Sequence, residues 1–98
     1  MKLEWSPTAR NRAAIVDAWW RDERPAAPDL FTRELIAALQ QIRDFPEVPS
    51  VCGRVRGRPV RRVLLKKTRQ HVYYLVDPVA GVVRIHAIRG TRRRPPPL

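Results

Sequence analysis

Apolar and polar residues change rhythm along this chain, and each rhythm predicts an element. Met1, Leu3 and Trp5 alternate with polar residues, the period of a short strand. Ser6 then offers a capping hydroxyl, and Pro7 suits the first helical turn. Ala9, Ala13, Val16 and Trp20 follow at helical spacing, with Ile15 and Trp19 widening the stripe. A first helix is therefore predicted to end near Asp22. Pro25 and Pro28 mark a short linker, because residues preceding proline avoid helical geometry. Phe31, Leu35, Ala38 and Ile42 then fall at i, i+4, i+7 and i+11, bordered by Leu39 and Phe45. They predict a second helix from about Asp29 to Asp44. Asp29 complements its dipole and Phe45-Pro46 stops it. Two amphipathic helices with a short connection predict an antiparallel hairpin.

After the helices the pattern turns to strands. Residues 46–59 contain Pro46, Pro49, Gly53, Gly57 and Pro59, and predict a loop along which Arg54, Arg56 and Arg58 alternate. Val60 to Lys67 is rich in β-branched and aliphatic residues, and Thr68-Arg69-Gln70 suits a tight connection. His71 to Val76 is the clearest strand, and Asp77-Pro78-Val79-Ala80-Gly81 suits a turn. Val82 to Arg89 is the last strand. Simple alternation puts Val83, Ile85 and Ala87 on one of its faces, with Val82, Arg84, His86 and Ile88 on the other. Short connections predict an antiparallel meander for these three strands. The expected fold class is α+β, in the order β-α-α-β-β-β, with the helical hairpin on one face of a mostly antiparallel sheet. The opposite face is left to meet something else. Residues 1–91 are expected to form a single domain, and residues 92–98 a basic, proline-rich tail.

Composition narrows the setting. The chain has 98 residues, 44% of them hydrophobic, which fits one ordinary globular domain. No apolar run approaches the ~18–20 residues needed to span a bilayer. Met1 to Trp5 lacks an apolar core of signal-peptide length, so a cytoplasmic protein without membrane partners is expected. The single Cys52 fits a reducing compartment. Cys52, His71 and His86 show no metal-ligand spacing, and neither metal nor cofactor is expected.

Charge changes the picture most. The net charge is +11, unevenly spread. Residues 1–49 hold seven basic and eight acidic side chains; residues 50–98 hold thirteen basic and one acidic, Asp77. Only Lys2, Lys66 and Lys67 are lysines; the other cations are arginines, whose planar fork suits phosphate and carboxylate. The second half therefore predicts a polyanionic partner: nucleic acid, a nucleoprotein machine or an acidic protein.

The order of elements and several stretches together resemble a known family. The stretches are Glu4-Trp5-Ser6-Pro7-Thr8-Ala9, Leu30-Phe31-Thr32-Arg33-Glu34-Leu35 and Phe45-Pro46-Glu47-Val48-Pro49. They continue with Val60-Arg61-Arg62-Val63-Leu64-Leu65, His71-Val72-Tyr73-Tyr74-Leu75-Val76-Asp77 and Val83 through Arg93. The chain resembles the RelE/ParE superfamily of type II toxin–antitoxin toxins over nearly its whole length. The resemblance implies a small bacterial protein that arrests growth and is neutralised by a cognate antitoxin with an acidic segment. A toxin–antitoxin hetero-oligomer follows from the same resemblance. Arg54, Arg56, Arg58, Arg62, Arg84, Arg89, Arg92, Arg93 and Arg94 are the expected target-binding residues. Trp19, Trp20, Leu35 and Tyr73 are the expected antitoxin seat.

Two mechanisms divide that family. RelE-like members cut mRNA in the ribosome, and ParE-like members poison DNA gyrase. Cleavage through the 2′-hydroxyl needs a base, an acid and cations around the phosphorane. The candidates for that chemistry are His86, Arg84, Lys66 and Arg89, with His71 a second proton carrier. Ribonuclease members commonly carry a tyrosine, or a histidine–tyrosine pair, just after the last strand. Here that stretch is Arg89-Gly90-Thr91-Arg92-Arg93-Arg94, and arginine is a poor proton shuttle. Phe45-Pro46-Glu47 and Gly90-Thr91-Arg92-Arg93 also look more ParE-like. Gyrase poisoning is thus the first expectation and ribosome-dependent mRNA cleavage the alternative. A basic nucleic-acid-binding module without toxin activity, or an inert relic that still binds antitoxin, completes the set.

Overall fold

The computed structural model describes residues 1–91. Its elements are β1 (Lys2–Trp5), α1 (Pro7–Glu23), α2 (Leu30–Asp44), β2 (Val51–Val55), β3 (Arg58–Leu65), β4 (Gln70–Asp77) and β5 (Val82–Gly90). The strands form one sheet in the order β1-β5-β4-β3-β2. β1 runs parallel to β5, and every other neighbouring pair is antiparallel. Both helices pack on one face, giving the expected α+β two-layer fold.

Ser6 starts the helical layer. Its hydroxyl accepts a hydrogen bond from the Ala9 N–H at 3.0 Å and donates to the His86 carbonyl at 2.8 Å. One side chain thus caps α1 and ties it to β5. The predicted apolar stripes meet the sheet: Ala9, Val16, Phe31, Leu35, Ala38 and Ile42 pack with Leu65, Val72, Tyr74, Val83, Ile85 and Ile88. Ile42, Tyr74, Val83 and Ile85 are fully buried.

Three expectations are corrected. First, residues 46–59 are not all loop. Val51–Val55 is an edge strand paired with β3. The turn that joins them places Arg56 at φ 51° and Gly57 at φ 78°. Two successive left-handed residues close a tight hairpin of the kind that Asn-Gly favours. Arg56 fills the first position at a cost of roughly 1 kcal/mol. Proline and glycine density suggested a loop because the hairpin's own turn residues dominate so short a segment.

Second, β3 ends at Leu65, and Lys66 and Lys67 lie in the turn to β4. Glu34 on α2 explains the early ending. Its carboxylate accepts from the Lys67 N–H at 2.8 Å, the Thr68 N–H at 3.0 Å and the Thr68 hydroxyl at 2.6 Å. Those donors bond to the helix instead of extending the ladder.

Third, β5 bulges. Tyr73 pairs with Ala87, but Tyr74 pairs with Ile85, so His86 has no partner in β4. One extra residue inverts the alternation beyond it. Ala87 therefore leaves the helix side and joins Val60, Tyr73 and Leu75 on the other, while Ile88 joins Val83 and Ile85 in the main core. A strict two-residue period carries no sign of this.

Candidate functional site

The sheet face opposite the helices gathers much of the basic half. Register places Arg62 beside Tyr73, His71 beside Arg89, and Leu75 between Val60 and Arg84. Beneath the charges lies a second apolar cluster: Val60, Tyr73, Leu75 and Ala87, with Val55 packed against it. Val60 is fully buried and Tyr73 is 2% exposed. An uncharged floor in low dielectric strengthens the field of the surrounding guanidinium groups.

Asp77 organises one end of this face. It is the lone acid of the basic half, and only 12% of its side-chain surface is exposed. It accepts from the Ala80 N–H at 3.1 Å and pairs with Arg58 at 3.3 Å and Arg84 at 3.5 Å. Arg84 also pairs with Glu4 at 3.3 Å, so the charges bind β1, β5, β4 and β3 together. The Ala80 N–H holds the Asp77 carboxyl below the usual carboxylate range, with Arg58 and Arg84 adding to the effect against burial. The sequence marked Asp77 only by its isolation among cations.

The expected target-binding arginines therefore differ in state. Arg58 and Arg84 are engaged in internal ion pairs. Arg54 is exposed on β2 and donates to the Gly57 carbonyl at 3.1 Å. Arg56 is exposed at the hairpin turn. Arg62 and Arg89 stand on the open face beside Tyr73 and His71. Arg92, Arg93 and Arg94 lie outside the described residues.

Of the residues suited to RNA cleavage, His71 and Arg89 are register neighbours, but Arg84, His86 and Lys66 are not gathered around them. Arg84 and Arg89 are five residues apart on one strand, roughly 16 Å along it. Lys66 lies in the turn beyond Leu65, at the Gly90 end of the sheet, whereas Arg84 lies level with Val60. His86 sits on the bulge, its carbonyl held by Ser6. His71 is held below its ordinary pKa, first by burial and then by Arg62, which favours its neutral form. No group of three or more His, Cys, Asp or Glu residues arranged to hold a metal occurs among the described residues.

A second concave region lies on the helix side. A groove of about 670 Å³ runs between α1 and the β3–β4 turn, lined by Ile15, Trp19, Trp20, Arg24 and Arg69 among others. The two indoles meet edge to face with centroids 5.6 Å apart. The Arg24 guanidinium lies 5.4 Å from the Trp19 ring and 5.9 Å from the Trp20 ring. Trp19 remains 46% exposed. Leu35 and Tyr73, the other expected antitoxin contacts, are buried within the chain itself, at 9% and 2% exposure.

No family model matches this sequence, and no curated protein does. The chain is similar to one from a solved structure described as the chromosomal ParDE TA system from P. aeruginosa. The match covers 94% of this chain and 97% of that one, with a TM-score of 0.70 and 17% sequence identity. At that identity the likeness establishes the fold, which is RelE/ParE-like. No helix among the described residues is long and apolar enough to cross a membrane.

Proposed function

We propose that this chain is the toxin of a type II toxin–antitoxin system, ParE-like in action, which arrests growth by binding DNA gyrase. A cognate antitoxin with an acidic segment neutralises it in the cytoplasm, forming a hetero-oligomer. The RelE/ParE-like fold and the likeness to a ParDE system support the toxin class. One observation favours binding over cleavage: Arg84, His86, Arg89 and Lys66 are strung along the sheet instead of converging on one phosphate. Arginine stabilises charge well but does not shuttle protons near neutral pH. Arg62 and Arg89 are the proposed grip on the target. The groove beside Trp19, Trp20 and Arg24 is the proposed antitoxin seat, because it pairs exposed indole surface with cations that attract an acidic segment.

Inducing the chain in bacteria tests this reading. The expected outcome is filamentation and a DNA-damage response, relieved by co-expressing the antitoxin encoded beside it. A rapid stop in translation with cleaved mRNA would instead establish the ribonuclease alternative. Unaffected growth would leave a relic or a general nucleic-acid-binding module.

A further inference from the structure

The most exposed large hydrophobic side chains lie far from the antitoxin groove. They are Val79 at 95%, Val48 at 79% and Phe45 at 64% exposure. Val79 belongs to the β4–β5 turn, and Phe45 and Val48 flank Pro46-Glu47 in the α2–β2 connection. The two segments border one groove of about 360 Å³, lined by Glu47, Pro59, Val76, Pro78 and Val79 with Arg58 and Arg61.

The segments that display these side chains are held in place. The Tyr74 hydroxyl donates to the Pro46 carbonyl at 2.6 Å. Arg61 donates to the Glu47 carbonyl at 2.9 Å and to the Pro49 carbonyl at 2.7 Å. The Asp77 carboxylate accepts from the Ala80 N–H and fixes the turn that carries Val79. Apolar side chains presented on pinned backbone need little further ordering to bind. Exposed apolar side chains on two segments that border one groove suit a protein contact.

We infer that this apolar end of the sheet is a docking site for a protein, one that inserts an apolar side chain between Pro59 of β3 and the Pro78 turn and surrounds it with acidic residues. Charge selects the occupant. Arg58 and Arg61 line the groove and Arg54 and Arg56 stand on the adjoining hairpin, against Glu47 and the Asp77 carboxylate that Arg58 and Arg84 already pair with, so cations remain in excess. A second copy, itself at +11, would set arginine against arginine. Nucleic acid phosphates gain nothing from Val79, Val48 and Phe45. The site also lies at the opposite end of the strands from the tryptophan groove. Arg58 and Asp77 bound this end, and Leu65, Gln70 and Gly90 the other, roughly 23 Å away along the strands. The inference rests on the toxin reading: the docked protein is the arrested target, and the antitoxin sits elsewhere.

A photo-crosslinking amino acid at position 79 of the full chain, expressed in bacteria with its antitoxin, tests this, with position 11 on the exposed face of α1 as control. The expected result is an adduct with one protein, identified by mass spectrometry, lost in Val48→Asp and absent from the control. The purified protein should then bind Val79→Asp about tenfold or more weakly. Antitoxin affinity and melting temperature should not change, since Val79 touches solvent. A gyrase subunit in the adduct supports both readings. A different protein meeting the same criteria supports the docking site and overturns the gyrase assignment. An adduct with antitoxin, nucleic acid or a second copy, or none at all, overturns the docking site.

Discussion

On one side of the sheet, residues such as Val72, Tyr74, Ile85 and Ile88 pack beneath two helices. On the other, Val60, Tyr73, Leu75 and Ala87 are buried to similar depth with no described helix above them, and arginines stand around them. The first face carries Arg61, bonded to the Glu47 and Pro49 carbonyls, and the second carries Arg62, Arg84 and Arg89. Burial beneath helices yields stability and little recognition. Burial among cations holds the sheet together and leaves an electrostatic surface open to a partner. Substitutions on the two faces should therefore separate folding from function.

The largest effect on stability belongs to the helix side. Ile42→Ala removes a fully buried side chain and should cost about 2–5 kcal/mol, read by urea unfolding. Glu34→Ala frees the β3–β4 turn from α2 and should cost about 1–3 kcal/mol, since three donors lose one carboxylate. Ser6→Ala removes both the α1 cap and the bond to the bulge, and should cost about 1 kcal/mol.

Acid should loosen the charge network next. Asp77 is held below the usual carboxylate range, chiefly by the Ala80 N–H, and Asp17 likewise, chiefly by the Thr32 hydroxyl. Their unfolded values stand near 3.9. The unfolded chain therefore takes up protons first, and the stabilisation present above about pH 4 is lost as pH falls. Asp77→Asn should flatten that loss in a melting series from pH 6 to pH 3. His71 acts at higher pH. Its lowered folded pKa means that stability is complete above about pH 6.5 and declines as pH falls below it. His71→Gln should remove that smaller slope. Arg62→Ala and Arg89→Ala should sit at the bottom of the series, within about 0.5 kcal/mol of the parent.

The elements that could be read from sequence are those with a long, regular period. Both helices, β1, β4 and β5 carry clear apolar patterns, and Ser6-Pro7 and Phe45-Pro46 mark helix boundaries. The edge strand was hidden because Arg56-Gly57 and the neighbouring prolines read as loop. The bulge at His86 was hidden because pattern arithmetic assumes an unbroken period. The candidate site was legible as charge and not as geometry. Composition located the cations in the second half, but only cross-strand register shows Arg62 beside Tyr73 and Arg89 beside His71. Internal pairing is equally silent in sequence: Arg58 and Arg84 look like Arg62 until Asp77 and Glu4 are placed beside them. Leu35 and Tyr73 were expected to meet antitoxin, yet each belongs to the chain's own interior.

Gyrase supercoiling, measured with the parent chain and with the Arg62→Ala/Arg89→Ala double variant, decides whether the open face of the sheet grips gyrase. The parent should block supercoiling, and antitoxin should restore it. The double variant should inhibit at least tenfold less while melting at the parent's temperature. Full gyrase activity in the presence of the folded parent chain, with mRNA cut on programmed ribosomes, would contradict that grip.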